Sequence, residues 1–194
     1  MKKSFALLVL LAACGGATPS YDYTKEPDPR KSEYVIGVSD GLEINVWKNP
    51  ELTTKATVRP DGTITMPLIG DLVAAGKTPS RLKAEIALQL ANFVRDESAV
   101  VTVAVASVQS YRYTVSGNVE KPGVFTSPSY VTVLEAIEQA GGPNRFASPS
   151  GTVIVRTDAD GRARRIPIPY RDVRSGKRPD ANLTVLAGDT IYIP

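Results

Sequence analysis

Apolar and polar residues alternate along two stretches in the first half of the chain, 42–48 and 63–68. A period of two is typical of strands with one buried face. The predicted core positions are Leu42, Ile44, Val46, Ile64, Met66 and Leu68. Between the stretches, Pro60 fixes φ and Gly62 accepts positive φ, so Arg59–Thr63 is a turn signal. The pattern predicts that the two stretches pair as a hairpin across this turn.

A helical period follows the strands. Thr78 and Pro79 are predicted to open a helix as its N-cap and first residue. Apolar residues then recur at helical spacing through about Arg95, at Leu82, Ile86, Leu90 and Phe93 or Val94. We interpret this stripe as core packing, since the opposite face lacks the basic excess of a membrane-lying helix. A strand at 100–108 closes a compact α+β unit.

A second strand-rich unit starts near Ser110. Residues 111–116 alternate as a strand, 117–123 ends in a Pro-Gly turn, and Val124–Phe125 returns as the strand partner. Three further signals complete the unit: a hairpin of 153–156 with 164–167, its turn at 158–161, and a turn at Gly188–Asp189 before a last strand at 191–193.

The helix between these hairpins has clear end signals. Thr132 and Glu135 form a capping box, and Gly141-Gly142-Pro143 is a strong stop. Strand, turn, strand, capped helix and hairpin suggest a β-grasp arrangement. The predicted fold class is therefore α+β with two small domains: a strand-rich domain with one helix at 34–109, and a β-grasp-like domain at 110–194.

The first residues are typical of a secretion signal. Lys2 and Lys3 precede an apolar run that ends at Ala13, far short of the ~20 residues needed to span a bilayer. Leu11-Ala12-Ala13-Cys14-Gly15 resembles a bacterial lipobox. It predicts a signal peptide at 1–13 and lipidation of Cys14, which anchors the protein to a membrane. The alternative is an ordinary signal peptide cleaved near Ala13.

Residues 14–33 are predicted to be the lipidated N-terminus and a flexible tether. The segment is small, polar and proline-bearing, so Tyr21 and Tyr23 are expected to be solvated rather than to rest on the protein or the lipid. A flexible chain of this length spans on the order of 25 Å. That distance sets a domain just off a membrane surface.

Composition excludes several classes of function. With no histidine and one cysteine among 194 residues, a Cys/His metal site, an intrachain disulfide and His-dependent nucleophilic catalysis are ruled out. Asp158 and Asp160 are the nearest candidates for a glycosidase pair, but their turn explains them. Removing 1–13 takes Lys2 and Lys3, so the formal charge falls from +3 to about +1 and does not indicate nucleic-acid binding. We predict no catalytic residue, metal or cofactor.

Two linked motifs resemble the polysaccharide export (OPX) domain of bacterial outer-membrane export proteins. The first, Y-x-I-G-x-x-D-x-L-x-I-x-V-W, starts at Tyr34, and the second, V-R-P-D-G-x-I-x-x-P-L-I-G, starts at Val58. The motif positions we take as structural are Tyr34, Gly37, Asp40, Trp47, Arg59, Pro60, Asp61, Gly62, Pro67 and Gly70.

The second unit resembles the SLBB (soluble-ligand-binding β-grasp) domain, which follows the OPX domain in this family. The similarity lies in V-S-G-x-V-x-K-P-G-V-F, L-x-A-I-x-x-A-G-G and L-x-G-D-x-I-Y-I-P. The corresponding structural positions are Gly117, Pro122, Gly123, Gly141, Gly142, Gly188 and Asp189. Together the two resemblances cover about 34–194.

The resemblance implies a ring of identical subunits that encloses a periplasmic path for capsule or exopolysaccharide. It implies lipid anchoring at the periplasmic side of the outer membrane and docking to an inner-membrane polysaccharide copolymerase. No amphipathic helix follows Pro194, so we expect the polymer to pass to a separate outer-membrane β-barrel. The alternative is a lipid-anchored β-grasp protein that binds a ligand or polysaccharide and forms no channel.

Two features stay open at this stage. The first is a basic cluster made of Arg162, Arg164, Arg165, Arg171, Arg174, Lys177 and Arg178. One interpretation is that it contacts the polymer or a partner, above all through Arg162, Arg164 and Arg165. The other is that it is a solvated face balanced by nearby aspartates. Trp47 lies off the core face of its strand. It marks a subunit contact or covers an open sheet edge.

Overall fold

A computed structural model of the protein describes residues 21–93, 100–158 and 160–194. The predicted signal peptide and the lipidation site at Cys14 lie outside the described residues. The described chain forms two domains, each with its own buried apolar cluster. The cluster of the N-terminal domain runs from Ile36 to Val101, and that of the C-terminal domain runs from Tyr111 to Ile193 and includes Tyr23.

The described part of the N-terminal domain contains five strands and one α-helix. They are β1 (Gly41–Val46), β2 (Thr54–Thr57), β3 (Thr63–Met66), β4 (Gly70–Val73), α1 (Pro79–Leu90) and β5 (Val101–Ser107). An antiparallel sheet has the order β2-β1-β5, and β3 pairs with β4 in a separate two-stranded sheet. The predicted core residues of β1 are buried between the strands and α1.

The predicted hairpin around Arg59–Thr63 is wrong in its pairing, although the turn itself forms. The amide of Gly62 donates to the carbonyl of Arg59 at 2.8 Å, and the amide of Arg59 donates to the carbonyl of Thr63 at 2.9 Å. The flanking strands pair elsewhere, β2 with β1 and β3 with β4. The chain therefore reverses at Leu68, which is exposed with φ 68° instead of buried.

Helix α1 begins as predicted and ends earlier. The Thr78 side chain accepts a hydrogen bond from the amide of Arg81, Pro79 is the first helical residue, and the buried positions are Leu82, Ile86 and Leu90. Because the helix ends at Leu90, Phe93 leaves the apolar stripe and is exposed. The predicted extension to Arg95 lies outside the described residues.

The C-terminal domain is a β-grasp fold. Its elements are β6 (Arg112–Gly117), β7 (Gly123–Thr126), α2 (Val133–Gln139), β8 (Val153–Thr157), β9 (Ala163–Pro167), α3 (Tyr170–Arg174) and β10 (Thr190–Ile193). The five-stranded sheet has the order β7-β6-β10-β8-β9, with β10 parallel to β6 and every other pair antiparallel. The predicted capping box at Thr132 and Glu135 forms at the start of α2. Helix α3 was not predicted from the sequence pattern.

Residues 21–33 correct the predicted flexible tether. They form two single turns of 3-10 helix that pack on the C-terminal domain, with Tyr23 buried in its core. The Tyr23 hydroxyl donates to the carbonyl of Pro167 at 2.6 Å, and Thr184 donates to Asp28 at 3.2 Å. The segment is polar because it makes specific polar contacts, which composition alone does not distinguish from solvation.

Candidate functional site

Asp40 sits at the junction between the two domains. Its carboxylate is fully buried and accepts hydrogen bonds at 2.8 Å from the amides of Gly37, Gln109 and Ser110. The hydroxyls of Tyr34 and Ser110 donate to it at 2.6 and 2.9 Å. One side chain therefore fastens the loop before β1 to the segment that links β5 to β6.

The charge of Asp40 is stabilised by its hydrogen bonds. Burial by itself raises the pKa of a carboxyl, but the hydrogen bonds from Tyr34 and the three amides outweigh burial and hold the pKa of Asp40 below its ordinary value. Burial, followed by the hydrogen bond to Asp40, raises the pKa of the Tyr34 hydroxyl. The pair is therefore a carboxylate and a neutral phenol at neutral pH.

Gly37 allows the two domains to approach closely at this junction. A Cβ atom placed on Gly37 would lie 2.3 Å from the Cβ of Ser110. No such contact is sterically allowed, so a side chain at position 37 would push the linking segment away from Asp40. The motif residues Tyr34, Gly37 and Asp40 thus act together with Ser110, which the sequence motifs did not single out.

Aromatic side chains continue the junction into an open groove of about 320 Å³ between the domains. The ring of Tyr130 lies 6.4 Å from that of Tyr34 and meets Tyr111 edge-on at 5.1 Å. Tyr111 is held in place because its hydroxyl donates to the carbonyl of Val185 at 2.9 Å. The junction is therefore packed by rings as well as hydrogen-bonded.

A buried ionic cluster clamps the N-terminal segment onto the C-terminal domain. Arg156 donates through Nη1 to Glu26 at 2.8 Å, and through Nε and Nη2 to Asp189 at 2.9 and 2.6 Å. Arg164 donates through Nη2 to Glu26 at 2.8 Å. The side chains of Glu26, Arg156 and Asp189 are at most 3% exposed.

The clamp also sets the ionisation of its members. Burial raises the pKa of Glu26, but the hydrogen bonds from Arg164 and Tyr21 and the nearby guanidinium charges bring it below its ordinary value. Burial and the hydrogen bond to Glu26 raise the pKa of Tyr21 to about 12. Asp189 is the one member of the clamp that belongs to a sequence motif, and the motif predicts a turn there rather than a buried ion pair.

The other motif residues of the N-terminal domain shape its turns. Arg59 forms salt bridges with Asp61 at 2.8 Å and with Asp71 at 3.1 Å, which tie the β2–β3 turn to β4. Trp47 is 62% exposed at the end of β1. The remaining motif positions lie in or beside the tight turns that flank β3: Pro60, Gly62, Pro67 and Gly70.

The motif residues of the C-terminal domain lie at strand and helix ends. Gly117 has φ 87°, and a Cβ there would lie 2.0 Å from the carbonyl oxygen of Ile193, so only glycine fits beside β10. The others occupy the β6–β7 turn, the end of α2 and the turn before β10; they are Pro122, Gly123, Gly141, Gly142 and Gly188.

The three arginines predicted to contact polymer have different surroundings in the structure. Arg164 is held by Glu26 and by Asp158 at 2.8 Å, so its guanidinium serves the clamp. Arg162 pairs with Asp160 at 3.4 Å at the surface. Arg165 points to the opposite face of β9 from Arg164 and has no salt bridge among the residues the structure describes.

The described residues offer neither a metal centre nor a membrane-spanning helix. Across 21–93, 100–158 and 160–194 there is no group of three or more potential metal-binding side chains. Within the same ranges, no helix combines the length and apolar character that a bilayer crossing requires.

Comparison with known proteins agrees with this architecture. Residues 28–106 match the family model described as polysaccharide biosynthesis/export protein, and 112–167 match the SLBB domain. The boundary between the two matches falls at the Asp40–Ser110 junction. The chain belongs to the polysaccharide export (OPX) family. We accordingly call the unit that contains β1 to β5 the export domain and the unit that contains β6 to β10 the SLBB domain.

Two curated relatives extend the comparison. The exopolysaccharide production protein ExoF of Rhizobium meliloti (strain 1021) is 32% identical over 160 residues, which cover 75% of this chain. The capsule polysaccharide export protein BexD of Haemophilus influenzae is 30% identical over 88 residues, covering 36% of this chain. The matched regions span 35% of ExoF and 22% of BexD.

Proposed function

We propose that this chain is a periplasmic, ring-forming subunit of a capsule or exopolysaccharide exporter and that it acts as a conduit without catalysing a reaction. In this proposal Cys14 carries the lipid anchor at the outer membrane, and the ring docks to an inner-membrane copolymerase. The proposal rests on membership of the export family and on the use that this chain makes of its motif residues.

The observation that carries the proposal is the Asp40 junction. Tyr34, Gly37 and Asp40 belong to the first export motif, and all three take part in joining the two domains. A carboxylate with five hydrogen-bond donors has no free lone pair with which to act on a substrate. A rigid two-domain unit suits a building block of a larger assembly.

Exposed apolar side chains support assembly into a ring. Trp47 is largely exposed and is joined to Val100, which is also exposed, by the hydrogen bond from its amide to the carbonyl of Val100 at 3.0 Å. Large aromatic residues are enriched in subunit interfaces. We therefore favour a subunit contact over edge covering for Trp47.

The clamp supports a short connection to the membrane. Tyr21 is already held on the SLBB domain by Arg164 at 3.0 Å. Seven residue steps separate it from Cys14 in the sequence, so a fully extended chain reaches at most about 25 Å. A lipid at Cys14 would therefore keep the SLBB domain close to the bilayer.

The test is polysaccharide export in a strain that lacks this chain. We expect surface polymer to be lost and then restored by the intact gene, and Cys14→Ser to release the protein from outer membranes. Unchanged surface polymer in the deletion strain would contradict the exporter function. In that case the interdomain groove of about 320 Å³ would favour the alternative of a ligand-binding lipoprotein.

Ring formation needs its own measurement. Trp47→Ala is expected to reduce the mass of the purified oligomer in light scattering, whereas Val124→Ala, an exposed apolar change on the SLBB domain, serves as the matched control. Wild-type protein that is monomeric at all concentrations in detergent would contradict the ring.

A further inference from the structure

An open cavity of about 620 Å³ lies on the SLBB domain between α3 and the loop that follows α2. It is separate from the domain junction and from the clamp. Its volume falls within the ~300–1,000 Å³ typical of small-molecule sites. None of the family motif residues described above lines it.

A buried hydroxyl at this cavity lacks a well-formed hydrogen bond. Tyr170 is 2% exposed and its ring packs in the SLBB core, and its buried Oη atom makes no hydrogen bond of good geometry among the described residues, with the carboxylate of Glu138 as a weak acceptor nearby. An unsatisfied buried polar group costs about 1–3 kcal/mol. Such an atom beside a cavity leaves a hydrogen-bonding position for a partner supplied from outside the chain.

Two guanidinium groups line the same cavity. Arg171 and Arg174 are exposed on α3, and neither forms a salt bridge within the described ranges. Three other arginines of the basic cluster, Arg162, Arg164 and Arg178, pair with carboxylates, whereas Arg165 is unpaired among the described residues but lies away from the cavity. Planar guanidinium groups recognise carboxylates through paired hydrogen bonds.

The walls of the cavity are fixed before any ligand arrives. In the loop after α2, the amide of Asn144 donates to the carbonyl of Asn118 at 3.0 Å, and the amide of Ser148 donates to that of Pro194 at 2.6 Å. On the other side, α3 is held by the buried side chains of Tyr170 and Val173. A preformed site avoids the entropy cost of ordering loops on binding.

We propose that this cavity binds a carboxylate-bearing sugar unit, with Arg171 and Arg174 pairing with the carboxylate and the Tyr170 hydroxyl contacting a sugar oxygen. Apolar walls from Pro143, Ala147 and Pro149 suit the carbon face of a sugar ring. The saccharide class rests on the proposed export function. The anionic character rests on the two arginines.

The ionisation of Tyr170 fits a donor role. Burial, followed by the charge of Glu138 and a weak hydrogen bond to it, raises the pKa of the Tyr170 hydroxyl, and Arg174 offsets this only in part. The phenol is therefore protonated at neutral pH. Since Glu138 repels an anion, binding requires that both arginines outweigh this one carboxylate.

The test measures binding of two probes to the full mature chain by calorimetry. The probes are a hexamer of galacturonic acid and the same hexamer with every carboxyl methyl-esterified. The variants are Tyr170→Phe and the pair Arg171→Gln with Arg174→Gln. Arg165→Gln is the matched control, because it removes an exposed arginine without a salt bridge from another face of the same domain.

We expect the double arginine variant to weaken binding of the acidic hexamer by at least about tenfold and Tyr170→Phe to weaken it by about threefold to tenfold. Tyr170→Phe should leave thermal stability unchanged or higher, because it removes an unsatisfied group. The control should bind normally, and the esterified hexamer weakly.

Three outcomes would overturn the proposal. These are no binding of the acidic hexamer, equal binding of the esterified hexamer, or an equal loss in Arg165→Gln. Export assays keep this result separate from the proposed function. If the chain restores export in cells but binds no acidic hexamer, only the proposed site is refuted. If the variants weaken hexamer binding as expected but a strain that lacks the chain exports polymer normally, only the exporter function is refuted.

Discussion

The carboxylate of Asp40 accepts a hydrogen bond at 2.8 Å from the backbone amide of Ser110, across the boundary between the export and SLBB domains. The amide of Ser110 is present whatever side chain occupies position 110, so this hydrogen bond is removed only by a change at Asp40. It makes Asp40 the residue whose loss most directly separates the two domains.

Asp40→Asn is expected to destabilise the chain by about 3 kcal/mol, because an amide group presents one acceptor oxygen to the five donors and brings an NH2 group that faces some of them. Denaturant unfolding followed by fluorescence measures the loss. We further expect the two domains to unfold at separate midpoints.

The control for Asp40 is Asp61→Asn, which changes an exposed turn residue of the same domain. It should shift the midpoint far less. Equal shifts for the two variants would contradict the importance of the junction.

Gly37→Ala should destabilise the junction through the clash of its Cβ with Ser110. The expected loss is about 1–3 kcal/mol. Combining it with Ser110→Gly should cost less than the sum of the single changes, because the second change removes the clashing atoms.

Gly123→Ala is the matched glycine change, since a Cβ there meets no atom within 4 Å. Stability measurements on wild type, the two single variants, their double variant and Gly123→Ala complete the comparison. Full additivity of Gly37→Ala and Ser110→Gly would refute the steric account.

Arg156→Ala is expected to cost about 3–5 kcal/mol, because it leaves Glu26 and Asp189 buried without their shared cation. Limited proteolysis should then cut at Arg30 or Lys31, since the N-terminal segment would detach from the SLBB domain. Arg162→Ala, at an exposed salt bridge, should change stability by less than about 1 kcal/mol. An N-terminal segment that stays protected in Arg156→Ala would contradict the clamp.

Stability should fall in acid through Glu26 and Asp40. Both have pKa values below the ordinary 4.5 and 3.8, so their contribution is complete above those values and is lost as pH falls through the lower, folded values. The stability difference between wild type and Glu26→Gln should therefore be constant from pH 7 to about pH 5 and shrink toward pH 3. A difference that grows in acid would refute this assignment.

Local signals predicted much of the fold. The alternation in β1, the caps of α1 and α2, and the hairpins β6–β7 and β8–β9 depend on neighbouring residues and on short turns, so the sequence contains them. The pairing of β3 was not predictable in this way. A turn fixes the direction of the chain but not which apolar face the next strand will cover.

The sequence by itself determined the two domains, their order, and the motif positions Tyr34, Gly37 and Asp40. Only the tertiary structure decided that Asp40 reaches Ser110, that Glu26 is buried against Arg156, and that Arg164 and Arg171 have different surroundings. The physical reason is separation along the chain. Glu26 and Arg156 meet because two distant segments pack together, and the energy of that buried charge pair depends on surroundings that no local pattern encodes.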